Sequence, residues 1–142
     1  MTPLDGLAQV EAMIEAGAQP SIGRTLDFAL IEVAKGRAVF EGEPDARTYN
    51  PMGTVHGGYA ATLLDSACGI ATHSSLQAGQ AYTTLELKVA YHRPMTSATG
   101  RVRAEGKVVS IGRRVAFAEA TLTDADGRLL ASATSTLLVM AA

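Results

Sequence analysis

Residues 50–75, NPMGTVHGGYAATLLDSACGIATHSS, constrain the fold more than any other stretch of the chain. They open as a loop punctuated by Pro51, Gly53, Gly57 and Gly58 and continue as one apolar run at helical spacing. Ala60, Ala61, Leu63, Leu64, Ala67, Cys68, Ile70 and Ala71 cover nearly every face of that helix. A helix apolar all round is expected inside a core. Yet Asp65 stands in its middle. Burying an unpaired carboxylate is costly, or forces the group to stay neutral. Asp65 is therefore expected either to have a partner or to do chemistry.

The remaining chain supplies what encloses this helix. Residues 2–16 read as a short helix, with Thr2 as cap, Pro3 in the first helical position, Asp5 in the first turn and Gly17 as the stop. Residues 22–44 read as a hairpin, LDFALIEV and RAVFEGE, turning at Lys35-Gly36. After a break at Ala78-Gly79, residues 82–92 alternate, with Leu85, Leu87, Val89 and Tyr91 on one face and Thr84, Glu86 and Lys88 on the other. Residues 100–109 alternate Val102, Ala104, Gly106 and Val108 against Arg101, Arg103, Glu105 and Lys107. Ser110-Ile111-Gly112 turns into residues 114–123, and Asp126-Gly127 turns into residues 129–140. One helix cannot cover both faces of six such strands. The predicted class is α+β: an antiparallel six-stranded sheet wrapped around one long central helix, with a short N-terminal helix, as a single domain over residues 1–142. The outer sheet face is expected to be wet or to meet another subunit.

Charge and composition exclude several classes. A formal net charge of -2 gives no general attraction to nucleic acid. The lone cysteine, Cys68, rules out a disulfide framework and points to a reducing compartment; it reads as a small buried hydrophobe rather than a nucleophile. The N-terminus carries acids and no basic segment of the secretory type, and no uncharged apolar run reaches the ~18 residues of a membrane span. A soluble, cytoplasmic protein is expected.

Chemistry is expected where the loop meets the central helix. The first N–H groups of a helix lack internal partners and lie at the positive end of the dipole. Gly57 N–H is the candidate oxyanion donor; otherwise these glycines only shape a tight turn. Asp65 reads either as a paired structural acid or as a general base or nucleophile. His56 reads as an orienting or structural group, and no second ligand at zinc spacing accompanies it. His73 and His92 read as ordinary polar positions. Arg93, Arg113 and Arg114 read either as exposed strand-end residues or as phosphate contacts. Gly57 and Asp65 are eight residues apart, or about 12 Å along one helix. A donor and a base serving one carbonyl must lie much closer together than that. A catalytic site built from both therefore requires two antiparallel copies of the helix, in a homodimer.

The pattern N-P-x-G-x-x-H-G-G followed by L-x-D, present as Asn50 to Gly58 and Leu63 to Asp65, resembles the hotdog-fold acyl-CoA thioesterases, specifically the phenylacetate-degradation (PaaI-like) branch. Thr83 to Val89, Tyr91 to Pro94 and Gly112 to Arg128 extend the resemblance over roughly residues 20–140. The resemblance implies hydrolysis of an acyl- or aryl-CoA. Asp65 would activate water or attack the carbonyl, and Gly57 N–H would hold the oxyanion. Asn50 would bind the thioester or position water, and His56 would orient Asn50 and the loop. Gly58 would contact substrate. Thr84, or Thr83 one register away, would assist the water. Arg93, Arg113 and Arg114 would meet the phosphates of coenzyme A, which enters as part of the substrate, with no metal or other cofactor. The resemblance also implies a site shared between two subunits and dimers that pair into tetramers. Two other readings compete: a non-catalytic acyl-CoA binding module, and a dehydratase of 3-hydroxyacyl thioesters, whose His base the Asn50, His56 and Asp65 arrangement fits poorly.

Overall fold

A computed structural model describes residues 2–142. The N-terminal helix, α1, is Gly6–Glu15, and its cap is Asp5, whose side chain accepts from Ala8 N–H at 2.9 Å. The helix thus starts later than the Thr2 and Pro3 signals suggest, because Asp5 is the stronger cap and its carboxylate reaches the third N–H of the turn. A second helix, α2 (Ser21–Leu26), occupies a stretch the sequence reads as strand. Ile22 and Leu26 stand four apart, a helical spacing, and Asp27 closes the turn in the left-handed region at φ 61°. The hairpin follows it, β1 (Phe28–Ala34) and β2 (Arg37–Gly42), turning through Gly36 at φ 79°.

The long helix α3 is Gly57–His73, and four strands come after it: β3 (Gln80–Tyr91), β4 (Val102–Ile111), β5 (Val115–Asp124) and β6 (Leu129–Ala141). All six strands form one antiparallel sheet in the order β1-β2-β4-β5-β6-β3. Its inner face is built from small residues along the centre: Ala38, Ala104, Gly106, Ala116, Ala118 and Ala120 are buried. Gly106 is the closest approach, since a Cβ there would run into the Ala67 carbonyl of α3. The alternation in β4 is as the sequence predicts, with Val102, Ala104 and Gly106 buried and Arg103, Glu105 and Lys107 outward. Outside, Arg37 pairs with Glu105 and Arg103 with Glu32.

Two features depart from the expected pattern, and both shape the site. First, α3 is not covered on every face. Ala61, Thr62, Asp65 and Ser66 are only half-buried and Gly58 is exposed. The sheet curls around α3 without closing, because β1 and β3 are its two unpaired edges, and a stripe of helix remains open. Second, β3 carries a bulge: Thr84 pairs with Leu137 and Glu86 with Thr136, so Leu85 is an extra residue. Leu85 is turned out and 57% exposed, whereas Tyr82 and Thr84 join Leu87 and Val89 on the inner face. The bulge therefore reverses the placement of Thr84 and Leu85 expected from strict alternation.

Candidate active site

Asp65 sits on the open stripe of α3, and the bulge in β3 brings a hydroxyl to it. Thr84 Oγ1 donates to Asp65 Oδ1 at 2.9 Å. That leaves the second carboxylate oxygen available to a further donor. Thr83 is exposed on the opposite face of β3, so strand alternation keeps it away from Asp65. Asp65 and Thr84 border a pocket of about 200 Å³ between α3, the β1 and β3 edges and the α1–α2 segment. Its walls include Met13, Ile22, Phe28, Leu30, Phe40 and Ile70. Gln19 closes one side by clamping the edge of β1, accepting from Leu30 N–H at 2.8 Å and donating to Leu30 O at 3.0 Å. Tyr82 also borders this pocket, and burial together with the nearby Asp65 carboxylate raises its phenol above the usual range.

The start of α3 forms a separate site. His56 is the helix N-cap, and its Nδ1 accepts from Gly58 N–H at 2.7 Å. An accepting Nδ1 carries no proton, so the neutral ring holds its proton on Nε2. His56 does not orient Asn50, contrary to expectation. Asn50 Oδ1 accepts from Met52 and Thr54 N–H, and its Nδ2 donates to Thr54 Oγ1 at 2.9 Å. These bonds tie the side chain to its own loop, which turns at Gly53 with φ 82°, and leave one amide N–H without a partner among the described residues. Gly58, expected to contact substrate, has its N–H occupied by His56. Gly57 N–H has no acceptor among the described residues and stands at the positive end of α3. The Gly57 carbonyl accepts from Tyr91 Oη at 2.6 Å. Asn50, His56, Gly57, Tyr91, His92 and Arg93 border a pocket of about 360 Å³ that Asp65 does not reach.

The arginines divide between the ends of the sheet. Along β6, Ala131 pairs with Tyr91 while Leu138 pairs with both Thr83 and Val115. Arg93 therefore follows one end of the sheet, and Arg113 and Arg114, in the β4–β5 turn, lie at the other; all three are exposed. Cys68 is fully buried, and burial pushes its thiol up to about 12, so it is a packing residue as expected. Two histidines read as ordinary have partners: His73 Nε2 lies 2.9 Å from Gln9 Oε1, and His92 Nε2 lies 2.9 Å from Ser132 Oγ. Among the described residues, no three His, Cys, Asp or Glu side chains gather at metal-binding spacing, and no helix is long and apolar enough to cross a membrane. Sequence reasoning gave Tyr91 no role. It is 34 residues from Gly57, and only the sheet register brings the two together.

A family model described as the thioesterase superfamily matches residues 52–131, from the helix-start loop to β6. The chain belongs to the thioesterase superfamily. Among curated relatives of this thioesterase-superfamily chain is the proofreading thioesterase EntH of Klebsiella pneumoniae, 30% identical over 117 residues, spanning 82% of this chain and 84% of that protein. Another is the 1,4-dihydroxy-2-naphthoyl-CoA hydrolase of Listeria monocytogenes, 29% identical over 81% of this chain and 92% of that one. Among solved structures, a thioesterase family protein from Silicibacter pomeroyi superposes with a TM-score of 0.83 at 29% identity, covering 94% of this chain and 98% of its own. PaaI of E. coli shares the fold, with a TM-score of 0.82 at 20% identity over 95% of this chain and 93% of its own. The six-stranded sheet around α3 is thus the hotdog fold of the thioesterase superfamily, a fold that PaaI shares, in line with the resemblance of the motif.

Proposed function

We propose that the protein hydrolyses an acyl- or aryl-CoA thioester at a site shared between two copies of the chain. The observation that carries this reading is the separation of the two reactive features. Gly57 N–H and Asp65 lie on one helix, yet they open into different pockets, and each pocket lacks what the other holds. A second copy, packed antiparallel along the open stripe of α3 and the β3 edge, would place the Gly57 N–H of one chain opposite the Asp65 of the other. The same operation brings Arg93 of one chain to the end of the sheet where Arg113 and Arg114 of the other stand. Three guanidinium groups would then be available to the coenzyme A phosphates.

In this site the thioester carbonyl oxygen points at Gly57 N–H, which stabilises the negative charge as it develops. Thr84 holds Oδ1 of Asp65, so Oδ2 accepts the proton of a water that attacks the carbonyl carbon. The C–S bond breaks and coenzyme A leaves as the thiol, taking that proton. In the alternative, the same carboxylate oxygen attacks the carbonyl directly; the C–S bond breaks, coenzyme A leaves as the thiolate, and water hydrolyses the resulting anhydride, freeing the acid and Asp65 and supplying the proton that the thiolate takes. The acyl group occupies the apolar pocket beside Asp65. Coenzyme A enters as part of the substrate, and the scheme uses no metal. Thiol release from a panel of acyl-CoAs tests the reading. Asp65→Asn should lower kcat by roughly 100-fold or more while the fold is kept. Wild-type turnover in that variant removes Asp65 from the mechanism, and absence of thiol release from every acyl-CoA favours a binding module.

A further inference from the structure

We infer that Tyr91 is a positioning residue, which sets the direction of the Gly57 N–H by clamping the first peptide of α3. The inference rests on the oxyanion role proposed for Gly57. The peptide unit joining Gly57 to Gly58 is held at both ends. Its carbonyl, on Gly57, accepts from Tyr91 Oη at 2.6 Å, and its N–H, on Gly58, donates to His56 Nδ1 at 2.7 Å. Within α3 that carbonyl also serves the N–H four residues on, so Tyr91 takes its second lone pair. The peptide that carries the Gly57 N–H is the next one back, and both flanking groups of its direction, the His56 cap and the Gly57 carbonyl, are thereby fixed.

The surroundings fit a clamp rather than a chance contact. A Cβ at Gly57 would lie 3.0 to 3.3 Å from Oη, Cζ and Cε1 of Tyr91, so the ring lies directly against the backbone, and glycine is what admits it. The strand end that carries Tyr91 is itself pinned, because His92 and Arg93 N–H both donate to Leu130 O, at 2.8 and 3.1 Å. Tyr91 is 56% exposed, so the core does not account for its position. Its hydroxyl proton is committed to Gly57 O, and it is therefore not a donor to substrate. An N–H aimed in advance costs no reorganisation when charge develops on the carbonyl oxygen, and that is where its catalytic value lies.

Tyr91→Phe removes the clamp and nothing else. Its kcat should fall about tenfold, a part of the roughly 100-fold loss that follows removal of an oxyanion donor, with KM within about twofold of wild type. In the same variant the Gly58 amide, followed by NMR, should exchange with solvent about tenfold faster, because the carbonyl of its peptide then keeps only the intrahelical bond at the fraying first turn. An unchanged kcat, or an unchanged Gly58 exchange rate, overturns the inference. A lower kcat with wild-type exchange would mean that the hydroxyl acts on the substrate directly. Asp65→Asn, assayed alongside, separates this failure from failure of the thioesterase reading. Tyr91→Phe at full activity beside an inactive Asp65→Asn sinks the clamp alone, whereas Asp65→Asn at full activity sinks the mechanism on which it rests.

Discussion

The polar side chains of this molecule differ mainly in how completely their hydrogen bonds are spent. Asn50 turns its amide oxygen and one amide N–H to the loop that carries it, while Asp65 keeps one carboxylate oxygen without a partner. Tyr59 shows the cost of the opposite condition. Its hydroxyl is buried with no partner among the described residues, and burial pushes it up to about 12. His73 provides a prediction at this scale. It is wedged beside Gln9 and Tyr82, and burial holds its imidazole below the ordinary 6.5. The folded value is the lower one, so the unfolded chain takes up the proton first as the pH falls. The contribution of neutral His73 to stability is fully present above about 6.5 and declines as the pH drops toward the folded value. Thermal midpoints measured between pH 8 and 5 should show this decline in the wild type, and His73→Gln should flatten it. Glu105, held low by its hydrogen bond to Arg37, acts in a more acidic window.

At the scale of elements, the distance between helix and sheet is decided by one missing side chain. Gly106 lies under the Ala67 carbonyl and the Cys68 amide, both backbone groups that cannot swing aside. Gly106→Val should therefore destabilise the protein by about 3 kcal/mol, read as a lower urea midpoint at constant m. The sequence placed Gly106 on the inner face of its strand, but nothing local distinguished a glycine that seats a helix from one that merely weakens a strand. The bulge at Leu85 teaches a similar lesson. Thr83, Thr84 and Leu85 read as plain alternation, and the sequence left open which threonine meets Asp65. The extra residue in β3 answers this by turning Thr84 inward, while β6 runs on without a break opposite it, from Leu137 to Thr136.

For the whole molecule, the proposed site rests on a relation between two copies. Mixing two inactive variants tests it. Asp65→Asn leaves Gly57 intact, and Gly57→Pro removes the N–H at the helical position where proline is best tolerated, its ring displacing the exposed Tyr91 side chain as well. Refolded together at equal amounts, the pair should recover about a quarter of wild-type activity, because half the dimers then carry one intact site and one doubly damaged one. No recovery in a mixture shown to contain mixed dimers would place both groups in the same chain's site. The open stripe of α3 bears on the same point. The sequence read that helix as enclosed on every side, whereas Gly58, Thr62 and Asp65 form a seam along it that a second copy could cover.

By itself the sequence determined the class of fold, the long helix, the strand count and the separation of Gly57 from Asp65. These follow from periodicity and from the fixed rise of a helix, which are local and need no knowledge of contacts. It also carried the motif that marks the family. Only the tertiary structure decided that Thr84 rather than Thr83 meets Asp65, that His56 caps Gly58 and leaves Asn50 to Thr54, and that Tyr91 reaches Gly57. Each of these depends on a bulge, a cap or a sheet register. Such features are set by pairing between distant segments, and no pattern within either segment records them.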